Sequence, residues 1–185
     1  KFVDRRTFSR SILTGLASVA GGFMLLVPPS EARVYMTPGE AAKLFWGNQK
    51  LIPISLKLSR QQRKDIKEAS GVAVRASKMA VWKTESGGWF VLDSVIGKHE
   101  YIDYAVALSD KGSVKAIEIL VYREGYGDAV VNPRWRAQFY DKDPSRLLTH
   151  GKEIMNISGA TLSCRHITDG INRLTKMWEL VFSKV

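Results

Sequence analysis

The chain has 185 residues, 45% of them hydrophobic, and a formal net charge of +10. That length supports one ordinary globular core and leaves no room for a second full domain. With Cys164 as the single cysteine, an internal disulfide, a Cys-x-x-Cys metal knuckle and the haem attachment motif Cys-x-x-Cys-His are all excluded.

The first thirty-odd residues carry the compartment signal. In "DRRTFSR", Arg5 and Arg6 precede Thr7 and Phe8, and Arg10 closes a basic patch. The pattern resembles a twin-arginine export signal. No residue from Ser11 to Ser30 is charged. Gly15, Gly21 and Gly22 soften the apolar stretch Ile12 to Val27, which suits a cleavable signal, and Ser30 and Ala32 suit cleavage after Ala32. The uncharged run from Ser11 to Ser30, at about twenty residues, is just long enough to span a bilayer as a helix. Residues 1–33 therefore read as a signal or membrane anchor and residues 34–185 as one exported domain. The expected location is the periplasmic, extracytoplasmic side of the cytoplasmic membrane, with residues 11–30 as the anchor if the segment is retained. An exported basic protein meets lipid and other proteins rather than chromosomes, and no helix-turn-helix or RNP-like pattern points to nucleic acid.

Beyond that segment the elements follow in order. "TPGEAAKLFW" places Thr37 as N-cap, Pro38 at the first helical position and Glu40 where it completes a capping box, so a helix starts there. "SRQQRKDIKEAS" repeats the relation with Ser59 and Gln62. Between them "KLIPISLKL" alternates loosely and holds Pro53, which predicts an edge strand or an extended connector. "MAVWKTE", "GGWFVLDSVIG", "YIDYAVALS" and "SVKAIEILVY" switch to a period of two, with Gly87-Gly88 and Asp110 to Gly112 as turns; they predict a meander of about four antiparallel strands. "NPRWRAQF" restarts helix at Asn132 and Pro133. After Thr161, Cys164, Ile167, Ile171, Leu174, Trp178 and Val181 recur at steps of three and four, one face of a long terminal helix. The order predicts an α+β fold, an antiparallel sheet covered by helices on one face.

"MNISGATLSC", Met155 to Cys164, lies where that last helix begins. Helix N-termini offer unpaired N–H groups and a positive dipole end, so small residues there can admit a phosphate-sized anion. The competing reading is that Ser158 simply caps the helix.

"SGATLS" resembles the flavinylation motif of the FMN-binding domain family, which includes NqrC- and RnfG-like covalent flavoprotein subunits of membrane redox complexes. "VYREGYGDAVVNPRWRAQF" resembles that family's acidic-x-Gly-x-Gly turn followed by a helix ending in Gln-Phe. The likeness runs over roughly residues 70 to 182. It implies an FMN-binding domain over residues 34–185, with FMN held covalently by a phosphoester to Thr161 and installed outside the cytoplasm by an ApbE-type flavin transferase. It implies Ser158, Gly159 and Ala160 around the phosphate, N–H groups of Leu162 and Ser163 from the helix start, and Glu124, Tyr126 and Gly127 as further contacts. It also implies a membrane redox complex or cytochrome as partner. The chain departs from the pattern six positions before the threonine, where the family usually has an acidic residue and this sequence has Met155; Glu153 is the nearest carboxylate.

Other chemistry finds little support. His99, His150 and His166 are scattered without metal-ligand spacing. Cys164 falls on an apolar helix face and reads as a buried thiol, and Trp82, Trp89 and Trp135 as core or sheet-face residues. "ISGAT" is not a Gly-x-Ser-x-Gly nucleophile motif, and no catalytic acid–base pair stands out. An electron-carrier subunit follows from the resemblance. A reductase component feeding a separate catalytic subunit, and a flavin-free accessory subunit, are the alternatives.

Overall fold

The structure, a computed structural model, describes residues 32–185. The signal or anchor expected over residues 1–33 lies, apart from its last two positions, outside the described residues. Among the described residues no helix is long and apolar enough to cross a membrane.

The elements run β1 (Arg33–Val34), α1 (Pro38–Trp46), β2 (Leu51–Lys57), α2 (Arg60–Ser70), β3 (Lys78–Thr84), β4 (Trp89–Ile96), β5 (Tyr101–Leu108), β6 (Val114–Tyr122), α3 (Pro133–Arg136) and α4 (Thr161–Leu180). The strands form one antiparallel sheet in the order β1-β6-β5-β4-β3-β2. The α+β class and the four-strand meander β3 to β6 are as the periodicity predicts. β2 is the edge strand, where the missing N–H of Pro53 breaks no interior ladder.

Both predicted capping boxes form. The Thr37 N–H donates to Glu40 at 2.8 Å and the Glu40 N–H to Thr37 Oγ1 at 3.2 Å. Ser59 and Gln62 exchange the same pair at 2.8 and 3.1 Å. These bonds satisfy donors that a helix start leaves open, so both starts are set locally.

Three features depart from expectation. The sheet is covered on both faces. Val91, Tyr104, Val106 and Ile117 point into the main core with α2 and α4, while Phe90, Ala105, Ala107 and Leu120 meet Ala41 and Trp46 of α1. Strand alternation leaves apolar residues on both sides, and α1 covers the second set. The two-residue β1, too short to carry a period, pairs with Val121 and Tyr122. It is docked by Leu120, an extra residue in the β5–β6 ladder, whose carbonyl accepts the Tyr35 N–H at 2.9 Å. The "NPRWRAQF" helix is a single turn capped by Asn132, followed by a 3-10 turn over Ala137–Phe139. Its Arg136 is buried against Glu118 and donates to the Ile117 carbonyl at 2.6 Å.

α4 is fixed to the sheet at its middle. Arg173 donates to Asp93, and Tyr104 Oη donates to the same carboxylate oxygen at 2.5 Å. Gly170 leaves room for that hydroxyl, since a Cβ there would lie 2.3 Å from it. The predicted apolar face is buried from Cys164 to Leu174 and at Val181. Trp178, half-buried, sits over Gly112.

Candidate functional site

α4 begins without a side-chain cap. Its N-cap is Ala160, and no side chain bonds the first turn. Ser158 is exposed and stands two residues too early, so the capping reading fails. What precedes the helix is a tight turn. The Ala160 N–H donates to the Ile157 carbonyl at 3.0 Å, and Gly159 has φ +80°. Ser158 does not share that positive φ, which defines a type II turn with glycine at the position that requires it. Thr161 is the first helical residue and is exposed, as is Leu162. The N–H groups of Thr161, Leu162 and Ser163 precede the first intrahelical bond, Cys164 N–H to Ala160 at 2.9 Å, and are free to meet an anion.

A second turn packs on this one. After β6 the chain passes through Glu124 to Gly127, where φ is +88°. A Cβ on Gly127 would lie 2.8 Å from Tyr122 Oη, 3.3 Å from the Gly159 carbonyl and 3.4 Å from Ala160 Cα. The two glycine turns, more than thirty residues apart in sequence, thus touch backbone to backbone. Tyr122 ties them together: its hydroxyl donates to the Tyr126 carbonyl at 2.6 Å and lies 2.9 Å from Ser163 Oγ. Burial pushes its phenol up, keeping it a hydroxyl.

Between the turns lies a cleft of about 240 Å³ lined by Lys98, Glu124, Tyr126, Gly159, Ala160, Thr161, Leu162 and Ser163. Seven of the nine residues singled out from sequence meet there. Ser158 does not line it, and Gly127 lies behind the wall. Tyr126 is 90% exposed and projects outward. Ser163 turns its hydroxyl inward to Tyr122, leaving only its N–H toward the opening. Lys98 and Tyr122 have no signature linking them to residue 161; a basic residue at a hairpin tip and a tyrosine ending a strand become neighbours of the helix start only through the tertiary fold.

Glu124 serves the wall more than the opening. Its Oε1 accepts from the His99 N–H, and from the Glu100 N–H at 2.9 Å, in the β4–β5 turn. Burial alone would push the carboxyl up; the N–H groups of Glu100, His99 and Lys98 outweigh it and hold the group below its ordinary value of 4.5. A carboxylate depressed on folding contributes stability that is complete above its ordinary value and is lost as pH falls through the folded one. The stability gap between wild type and Glu124→Gln is therefore expected to be constant above pH 4.5 and to close below it, read from denaturation midpoints. A gap indifferent to pH would contradict the assignment.

The glycines give a second test. Gly159→Ala meets open space and costs only its left-handed backbone, about 1 kcal/mol, whereas Gly127→Ala adds the collision with Tyr122 and the facing turn, for about 3 kcal/mol. Urea midpoints of the two variants check the order.

The position held by Met155 is 68% exposed, with its N–H on Gln138 and its carbonyl on Trp135 Nε1. Glu153 is engaged by the Thr149 N–H and by Arg146, so it does not fill that place. His150 meets Asn156 and His166 meets the β4–β5 turn. Cys164 is fully buried and burial pushes its thiol up. Trp89 and Trp135 are core residues stacked on Phe182 and edge-on to Phe139, and Trp82 tilts against Phe90 on the sheet.

No curated protein matches the sequence. Among solved structures the chain resembles NqrC of Shewanella oneidensis, with a TM-score of 0.52 and 18% identity over 78% of this chain and 87% of that one. The likeness is one of fold. The model of the FMN-binding domain matches residues 97–176, within the span that the motifs covered, from the tip of the β4–β5 turn through both glycine turns into α4. The segment that matches the FMN-binding domain is thus the part of the chain that builds the cleft.

Proposed function

We propose that this chain is an electron-carrying flavoprotein subunit that holds FMN as a phosphoester on Thr161. One observation carries the reading: an exposed hydroxyl stands first in an uncapped helix, beside open N–H groups and inside the region that matches an FMN-binding domain. The residues fit the group. The glycine turns leave backbone, not side chains, around the helix start, and the helix dipole favours a phosphate there.

Attachment is a phosphoryl transfer. The Thr161 oxygen bonds to the FMN phosphorus of FAD, the pyrophosphate bond breaks, AMP leaves and the threonine proton passes to a base of an ApbE-type transferase. Once bound, FMN supplies one- and two-electron redox chemistry. The chain's own groups do the rest. N–H groups of Leu162 and Ser163 bind the phosphate, Gly159 and Ala160 keep the approach narrow, and the Tyr122 hydroxyl locks the two turns. A cleft of about 240 Å³ is below the roughly 300 Å³ at which a pocket encloses a ligand of this size. The cleft would hold the phosphate end of the group, and the exposed Tyr126 and Leu162 at its rim would offer apolar surface to the rest of it.

The setting we infer is a membrane redox complex on the extracytoplasmic side, delivered there by the twin-arginine-like segment. The excess of basic residues suits an acidic partner such as a cytochrome, with association slowing as salt rises. The test is the intact mass of the full chain from cells containing the transferase. A gain equal to FMN less water, mapped by peptide fragmentation to residue 161, is the expected result; an unmodified mature chain overturns it. Met155 favours one other reading, a flavin-free accessory subunit, which that unmodified mass would support.

A further inference from the structure

Lys98 lines the cleft, on the one wall that sequence patterns did not foresee. It sits at the tip of the β4–β5 hairpin, and that tip is clamped from both elements that build the site. The Gly97 N–H closes the turn on the Glu100 carbonyl at 2.7 Å. From the turn after β6, the Glu124 carboxylate collects the N–H groups of His99 and Glu100. From α4, His166 Nδ1 lies 2.6 Å from the Ile96 carbonyl and 3.0 Å from that of Gly97. Both partners are acceptors, so Nδ1 carries the proton and donates. Gly97 itself is required, since a Cβ would reach 2.7 Å from Glu124 Oε1.

An exposed hairpin tip needs none of this to turn a corner. The clamps fix the Lys98 backbone relative to the start of α4. They also engage the neighbouring carboxylate: Glu124 Oε1 is already met by the N–H groups of His99 and Glu100. The ammonium is left for whatever anion occupies the open N–H groups of the helix.

We propose that Lys98 forms the ion pair with the phosphate carried on Thr161, an inference that rests on the flavin reading above. A phosphoester to threonine is a diester with a single negative charge. One ammonium, together with the partial positive charge of the helix end, balances it. Lys98 is a binding residue for the phosphate and leaves the flavin ring untouched.

The test uses the full chain matured with the transferase, as wild type, Lys98→Gln and Lys98→Arg. Lysine 98 is exposed, so all three should fold alike by circular dichroism. The expected result for Lys98→Gln is a displaced phosphorus-31 resonance that no longer moves with salt, flavin loading slowed about fivefold, and an unchanged midpoint potential; Lys98→Arg restores the resonance and the loading. An unmoved resonance overturns the inference, as does a shifted potential with an unmoved resonance, which would put the lysine at the ring. A wild type without flavin overturns the reading beneath it, whereas a loaded wild type with an indifferent Lys98→Gln overturns the ion pair alone.

Discussion

Thr161→Ala is expected to abolish covalent flavin completely while leaving the fold intact. The side chain is exposed at the first helical position and caps nothing, so alanine there should change stability by no more than about 0.5 kcal/mol. Under the proposed phosphoester the loss is chemical, because the only atom removed that matters is the oxygen that would bond to phosphorus. Thr161→Ser keeps that oxygen and should retain a measurable fraction of the loading. Fluorescence of the denatured chain in a gel reads both: a bright wild-type band, a dark alanine band and an intermediate serine band. A bright alanine band would move the attachment elsewhere and remove the reason for the open helix start.

Asp93→Ala is expected to produce the largest loss of stability in the molecule, about 3 to 5 kcal/mol. The side chains of Asp93 and Arg173 are 12% and 9% exposed, and Tyr104 is fully buried with its hydroxyl on the same oxygen. Removing the carboxylate strands a guanidinium and a phenol in the core. Burial already pushes the Tyr104 phenol well up, so it cannot ionise to compensate. The cost is of broken pairing rather than of lost attraction, and it should therefore be largely recovered in Asp93→Ala/Arg173→Leu. Denaturant midpoints of the single and double variants decide it; equal losses in both would mean that packing, not the stranded charge, sets the cost.

What the sequence makes legible here divides by range. The two capping boxes, the turn glycines and the terminal helix depend on residues three or four apart, and each stands where its pattern put it. The meander is legible because its strands alternate strongly and their turns are short. β1 is not, since two residues have no period and its pairing is chosen by an irregularity in β6. The second covered face escaped because apolar residues on both sides of a strand are read as a run, and only the position of α1 shows which side needs a cover. At the site, the helix start and the Glu124 to Gly127 turn are local and visible. Tyr122 is visible only after folding, when it meets Ser163 from 41 positions away, and Lys98 likewise reaches the cleft from a distant hairpin. Ser158 shows the opposite failure: a hydroxyl near a helix start suggests a cap, but glycine's left-handed turn moves the start past it.

Residue 161 is not on a loop. It opens a rod of 20 residues, about 30 Å long, bolted to the sheet near its midpoint. A group fixed there cannot sweep through space in the manner of a lipoyl arm. If electrons are to pass between two centres farther apart than one docking contact, the entire globule has to pivot, and the speed of that tumbling, not the length of any tether, then governs throughput.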